Sequence, residues 1–219
     1  MTSNFNVLEY RKKFHQENIG THYSGLLHVF FSTSCLVGTS LFCLYKLNNL
    51  TGLEYFILPF MLLFGNFTVY FIHKYLLHRR IPYMGSAYRR HTIEHHHYFT
   101  DEFIVVSSSK EFRILLFPPE IVIFVSFIWG PLVFWFFAKT WSLNAGYLFW
   151  LGHCIYFVLY EVFHFTSHLP TNHWALKFRP FAYMREHHKL HHNPKLMAQY
   201  NFNIVYPMSD LIFKSQFKK

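Results

Sequence analysis

Residues 91–97 read His-Thr-Ile-Glu-His-His-His, and three further short stretches of the chain are equally rich in histidine. They read His73-Lys-Tyr-Leu-Leu-His78, His164-Phe-Thr-Ser-His168 and His187-His-Lys-Leu-His-His192. Together the four stretches contain 12 of the 17 histidines of the 219-residue chain. Clustering of this kind indicates that the rest of the chain serves to bring these side chains to one place.

Four long apolar stretches lie between and beside the histidines. They cover residues 26–45, 55–72, 114–138 and 140–160 and contain almost no charged residue. Each has roughly the ~20 residues that a helix needs to cross ~30 Å of hydrocarbon, and only a helix lets a single span satisfy its own backbone in lipid. The sequence predicts an all-α integral membrane protein with about four transmembrane helices. We expect one membrane-embedded domain over residues 1–219, with a polar segment at residues 1–25.

The third apolar stretch has a second interpretation, because it contains Pro118, Pro119 and Pro131. A re-entrant hairpin at this point would place the first two and the last two histidine stretches on opposite sides of the membrane. Proline kinks are tolerated within membrane helices. We therefore expect one kinked span.

The positions of the basic residues predict the orientation in the membrane. With four spans, every histidine stretch falls on the side that holds the N-terminus. The remaining 18 of the 20 Lys and Arg fall there too, because only Lys46 and Lys139 lie in the loops of the other side. This is the positive-inside pattern. It predicts a histidine-rich helical cap and both termini on the cytoplasmic face, in a bacterial inner membrane or, as the alternative, the endoplasmic reticulum. The net charge of +9 then favours contact with anionic lipid over nucleic acid.

The spacing of the histidines indicates a metal site. Residues three or four apart share a helix face, as in His91 and His95 or in His164 and His168. His73 and His78 are five apart, so they share a site only if the helix ends or bends there. Neutral imidazole is the commonest metal ligand. Ten imidazoles are too many for one ion but suit two ions with about five nitrogens each, and they suit Zn, Cu, Fe and Ni alike.

The order and spacing of the stretches resemble the histidine boxes of the fatty acid hydroxylase/sterol desaturase superfamily. The resemblance covers roughly residues 60–214 and includes Asp101 after the second box, Glu161 before the third, and Asn201 and Asn203 after the fourth. Carried over box by box, the resemblance implies ten metal ligands: His73, His78, His91, His95, His96, His164, His168, His188, His191 and His192. His187 remains an alternative to His188. The candidate partners that would orient the ligand rings are His97, Asp101, Glu161, Asn201 and Asn203.

The resemblance implies a non-haem di-iron centre that uses O₂ to hydroxylate an unactivated C–H bond of a fatty acyl or sterol lipid. Zinc can displace iron in the purified protein. A desaturase with the same ligands is the alternative within the family, and a non-enzymatic membrane protein that binds or transports metal is the alternative outside it. The chain contains no haem-attachment motif and no dinucleotide fingerprint. We therefore expect a separate electron donor, either cytochrome b5-like or ferredoxin-like, and no nucleic-acid partner.

Overall fold

The computed structural model describes residues 5–217, and every regular element in that range is helical. This confirms the all-α prediction. We number the longer helices, and one short helix near the C-terminus, in chain order: α1 (Val7–Asn18), α2 (Gly25–Lys46), α3 (Gly52–Leu77), α4 (residues 85–98), α5 (Pro119–Thr140), α6 (Leu143–Ser167), α7 (Arg179–His191) and α8 (Met208–Ile212).

Helices α2, α3, α5 and α6 are long and apolar enough to cross a membrane, with 22, 26, 22 and 25 residues. In α2, α3 and α5 only 22 % of the most apolar window is buried inside the protein. Large apolar side chains therefore face outward. Phe30, for example, has 71 % of its surface exposed. A helix that is apolar all round belongs in a core or in a membrane. This confirms the prediction of four helices that are long and apolar enough to span a membrane.

Three of the four spans differ clearly from their predicted bounds. Helix α3 begins at Gly52 and ends at Leu77 rather than covering residues 55–72. Helix α5 begins at Pro119 rather than at residue 114, because proline fits the first turn of a helix and Phe112–Leu115 forms a separate turn. It is one helix rather than a hairpin, and a π-helical turn at Phe124–Trp129 precedes Pro131. Helix α6 continues to Ser167 rather than ending at residue 160. As a result, a histidine stretch begins in the last turn of α6.

The chain forms two compact units. The first, which we call the histidine unit, comprises Met1–Gly25, Thr68–Leu116 and Phe163–Lys219. The second, the apolar unit, comprises Leu26–Phe67 and Phe117–Val162.

In the apolar unit the helices pack closely through small residues. A Cβ atom added at Gly130 would lie 1.9 Å from Nε1 of Trp150, so only glycine fits there. Trp150 belongs to a buried cluster with Leu36, Cys43 and Leu151. Small residues at helix contacts are typical of membrane proteins, where they let helices approach closely.

In the histidine unit a buried cluster joins α1 to the segment of residues 98–116. Its members are Phe14, Ile19, Tyr98, Phe99, Ile114, Leu115 and Leu116. Arg11 of α1 forms an ion pair with the buried Glu111, with 2.9 Å between guanidinium nitrogen and carboxylate oxygen. The Tyr98 hydroxyl donates to the same carboxylate over 3.1 Å. These contacts fix the backbone of residues 98–116, whose carbonyls hold several of the histidines.

Candidate metal centre

Ten histidines of the histidine unit form two groups of five that could each hold a metal ion. The His73 group contains His73, His78, His91, His96 and His191, and the His168 group contains His95, His164, His168, His188 and His192. Within each group, one ring nitrogen of every member lies within 4.8 Å of those of the others. Each of the ten side chains is at most 9 % exposed. The structure therefore brings together all ten histidines that the sequence singled out, including His188 rather than His187.

Two π-helical turns place these rings. The last turn of α3, Ile72–Leu77, and the middle of α4, Arg89–His95, both follow the wider i→i+5 pattern. This pattern lets residues five apart face the same way, as His73 and His78 do, with ring centroids 5.1 Å apart. His91 likewise joins His96, and His95 joins the other group. The expectation that His91 and His95 would aim at one point assumed regular α-helix, and the π turn changes the result.

Helix α7 also contributes to both groups. His188 and His192 are one helical turn apart, and their ring centroids lie 4.5 Å apart in the His168 group. His191, one residue away on the chain, belongs to the His73 group. The two groups adjoin, because the ring of His192 stacks on that of His96 with 4.2 Å between centroids.

Backbone carbonyls of residues 99–114 orient three rings of the His168 group. Nδ1 of His95 donates to the Ile114 carbonyl over 3.2 Å, and Nδ1 of His168 donates to the Ile104 carbonyl over 2.8 Å. Nδ1 of His192 donates to the Phe99 carbonyl. Because Nδ1 carries the proton in these three rings, Nε2 keeps its lone pair. A metal-binding histidine is held by its second nitrogen in this way.

Different acceptors orient the His73 group. Nδ1 of His191 donates to the Tyr200 carbonyl over 2.9 Å, and Nδ1 of His73 donates to the Phe202 carbonyl. Nδ1 of His78 lies 3.1 Å from Oγ1 of Thr92, whose own proton goes to the Leu77 carbonyl over 2.6 Å. The hydroxyl has only one proton to give, so Nδ1 of His78 must be the donor.

These assignments leave lone pairs facing each other. The Nε2 atoms of His78 and His191 lie 3.0 Å apart, and both are acceptors. Nε2 of His168 is buried and has no hydrogen-bond partner within residues 5–217. Two buried lone pairs at this distance repel unless a cation lies between them or beside them. The donor set therefore fits metal ions, and neither group contains a carboxylate.

Burial also keeps the rings in the ligand form. Desolvation, the largest cause, lowers the pKa of His78 to about 2 and lowers the pKa of His96 well below its usual value. It has the same effect on the pKa values of His168 and His188. Neutral imidazole, the form that binds metal, is thus the form present at neutral pH.

The other histidines and carboxylates singled out from the sequence lie outside the two groups. Nε2 of His187 donates to Asp210 over 3.1 Å, and the ring of His97 packs against those of Phe5 and Tyr10. Asp101 accepts a hydrogen bond of 2.7 Å from the side-chain amide of Asn193.

The remaining predicted partners act on backbone. Glu161, in the apolar unit, accepts a hydrogen bond of 2.9 Å from the Phe117 N–H. Asn201 donates its side-chain amide to the His187 carbonyl over 2.9 Å, and Asn203 accepts from the Asp210 N–H over 3.1 Å.

Sequence reasoning missed two side chains and all of the backbone acceptors. Thr92 lies inside the second histidine stretch, but a threonine there carries no signal of its own. Asp210 does have a sequence signal, because it is an acidic residue beside apolar residues in the segment after Pro207. The carbonyls of Phe99, Ile104 and Tyr200 cannot be recognised from sequence, because every residue has a carbonyl.

The fold and the site define an all-helical membrane protein with two adjoining five-histidine groups able to bind metal. Comparisons with protein-family models, with curated proteins and with solved structures found no match to this chain.

Proposed function

We propose that this chain is an O₂-dependent oxidoreductase that holds two iron ions in its two histidine groups and hydroxylates an unactivated C–H bond of a membrane lipid. The observation that carries the proposal is the pair of five-imidazole groups, in which Nε2 lone pairs of His78 and His191 face each other at 3.0 Å. Their adjacency supports a two-metal centre, because paired metal ions act together on one substrate.

The choice of iron and O₂ is supported by the resemblance of the four histidine stretches to the boxes of membrane hydroxylases. Imidazole alone suits several metals. When bound, a pair of iron ions would supply the activation of O₂ and the oxidising power needed to break a C–H bond. In the overall reaction one oxygen atom enters the C–H bond as a hydroxyl group and the other leaves as water. Two electrons come from a separate donor, cytochrome b5-like or ferredoxin-like, and two protons come from the solvent.

The residues of the chain have three tasks in this proposal. The ten histidines bind the metal ions through Nε2. Backbone carbonyls and Thr92 hold the Nδ1 protons of six of the ten rings, so that each of these six rings presents its Nε2 lone pair in a fixed direction. Burial of all ten rings to at least nine-tenths keeps bulk water away from the centre, and water exclusion suppresses side reactions of reactive species.

The membrane setting supports a lipid as the substrate. Four apolar helices with largely exposed apolar surfaces give the chain direct access to bilayer lipid. The basic residues on the N-terminal side of the spans favour a cytoplasmic position for the histidine unit. A bacterial inner membrane is our first choice and the endoplasmic reticulum the second.

Two other functions remain as competitors. A desaturase would use the same residues, remove two hydrogens from adjacent carbons, and release both oxygen atoms as water. A metal transporter would need ionisable residues near the middle of its spans. His73 and His164 instead lie in the last turns of α3 and α6, which favours a fixed centre over a transport path.

The test replaces His95 with Ala and uses His97→Ala as the matched control. His95 belongs to the His168 group, whereas its neighbour His97 lies outside both groups. We expect His95→Ala to lose bound metal and lipid oxidation while remaining in the membrane fraction, and His97→Ala to retain both. Full metal content and turnover in His95→Ala would contradict the proposal.

A further inference from the structure

One short loop, residues 200–203, supplies carbonyl acceptors to the His73 group. Its Tyr200 carbonyl accepts from Nδ1 of His191, and its Phe202 carbonyl accepts from Nδ1 of His73. The three carbonyl acceptors described above for the His168 group come from residues 99–114 instead. A change confined to the loop should therefore affect one metal position and spare the other.

Asp210 in the first turn of α8 holds this loop. Its carboxylate is fully buried and accepts four hydrogen bonds. Oδ1 accepts from the Phe202 N–H over 3.0 Å and from the Ser215 hydroxyl over 2.8 Å. Oδ2 accepts from the Asn203 N–H over 2.7 Å and from Nε2 of His187 over 3.1 Å. A carboxylate has about four lone-pair sites, so every site is filled by a donor.

A single peptide group connects this carboxylate to the metal site. The Asn203 N–H and the Phe202 carbonyl belong to the same peptide. That peptide donates to Asp210 on one side and accepts from Nδ1 of His73 on the other. Hydrogen bonds in series polarise one another. A carboxylate that acts on a ligand histidine fixes the ring and makes its metal-binding nitrogen more basic.

The buried charge of Asp210 is also linked to a cation on α3. The hydroxyls of Ser215 and Tyr70 lie 3.1 Å apart, and Nζ of Lys74 donates to the Tyr70 hydroxyl over 2.9 Å. Lys74 follows His73 directly in the chain. A buried charge is costly without such partners, so the hydrogen bonds that lead from Asp210 to Lys74 stabilise the buried carboxylate of Asp210.

We infer that Asp210 is a positioning residue for the metal ion of the His73 group, acting through the Phe202–Asn203 peptide on His73. The inference rests on the proposed binding of two metal ions. It adds that the two ions are held by separate supports, and that Asp210 supports one of them.

The test is Asp210→Asn in the full-length protein, loaded anaerobically with Fe(II) and analysed for metal content per chain. Asparagine replaces one acceptor oxygen with an amide donor, which then faces groups that are donors themselves. We expect bound iron to fall from two ions to one. Combined with His168→Gln, the variant should bind none. The double variant of Asp210→Asn and His73→Gln should bind at least as much iron per chain as His73→Gln alone.

Glu111→Gln is the matched control, because Glu111 is another buried carboxylate of the histidine unit and is 6 % exposed. It accepts from Arg11 and Tyr98. We expect this variant to keep the ion of the His73 group. Ser215→Ala is the milder second variant, since it removes one donor to Asp210. It should weaken Fe(II) binding to the His73 group by about 10-fold, at the low end for partners of ligand histidines.

Three results would overturn the inference. One is Asp210→Asn that melts at a lower temperature but keeps both ions at wild-type affinity. Another, decisive if Asp210→Asn does not fold, is Ser215→Ala with unchanged affinity for both ions. A wild-type chain that binds no metal would overturn the proposed function together with this inference, so the two failures can be told apart.

Discussion

Replacement of Thr92 by Val should weaken metal binding at one of the two groups. The Thr92 side chain is 4 % exposed, accepts from Nδ1 of His78 and donates to the Leu77 carbonyl. Valine has nearly the same shape but offers neither hydrogen bond. Two buried polar groups lose their partners, and each costs roughly 1–3 kcal/mol of unfolding free energy. The His78 ring also loses its fixed tautomer and direction.

The effect on metal affinity follows from that loss. Removal of a partner of a ligand histidine typically weakens metal binding about 10–100-fold, which corresponds to about 1.4–2.8 kcal/mol. We expect a weakening of this size for the His73 group and no change for the His168 group. The assay is anaerobic Fe(II) titration of the detergent-purified protein against a competing chelator, with thermal unfolding of the metal-free protein in parallel.

Two variants serve as controls for Thr92→Val. Thr92→Ser keeps the hydroxyl and should retain wild-type metal affinity. Thr39→Val makes the same change at another buried threonine, in the apolar unit, where the side chain is 6 % exposed. It should leave both metal affinities unchanged. If Thr92→Val lowered stability but bound both ions within about twofold of wild type, Thr92 would not set the orientation of His78 and our reasoning would be wrong.

Three further predictions concern acidity, packing and topology. Burial lowers the pKa values of His78 and His188 below the usual value of about 6.5. Below that pH the unfolded chain therefore binds more protons than the folded metal-free protein, and the melting temperature of the metal-free protein should fall as the pH is lowered from about 7 towards about 5. A melting temperature that does not change with pH would argue against buried neutral rings. Gly130→Leu forces a side chain against Trp150 and should cost about 1–3 kcal/mol of unfolding free energy in a denaturant titration, whereas Gly38→Leu, where an added Cβ meets no atom within 4 Å, should cost much less. Tags inserted at residues 49 and 140 should react only with reagents added on the side opposite the N-terminus, and labelling of residue 140 from the N-terminal side would contradict the four-span topology.

Much of this architecture can be predicted from the sequence because its two main signals are strong. Four nearly uncharged stretches of membrane-spanning length give four apolar helices whatever the details of packing. The clustering of 12 histidines in four windows marks the site, and the resemblance to the histidine boxes selects ten of them. Both signals come from the side-chain chemistry of neighbouring residues, which a sequence displays directly.

The division of the histidines into groups could not be predicted in the same way. His91 and His95 are four residues apart and would share a face of an α-helix, but a π-helical turn sends them to different groups. Whether such a turn forms depends on packing around the whole site. The bounds of α5 and α6 differ for a related reason, since Pro119 and the continued packing of α6 decide where those helices begin and end.

The groups that orient the histidine rings are even harder to predict from the sequence. Asp210 reaches His73 only through a peptide of residues 202 and 203, and these groups come together only in the folded chain. Asn201 adopts a left-handed backbone conformation with a φ angle of 62°, which shapes the same loop. Contacts of this kind depend on tertiary structure and have no local pattern.

The most direct test of the central claim is the metal content of the wild-type protein. The protein would be purified in detergent after growth with iron-57, analysed for elements, and examined by Mössbauer spectroscopy. We predict two iron ions per chain with a spectrum of two coupled, nitrogen-rich sites, one for each group of five histidines. Folded protein that contains no metal and takes up none from Fe(II) solution would contradict the claim that the ten histidines form a metal centre.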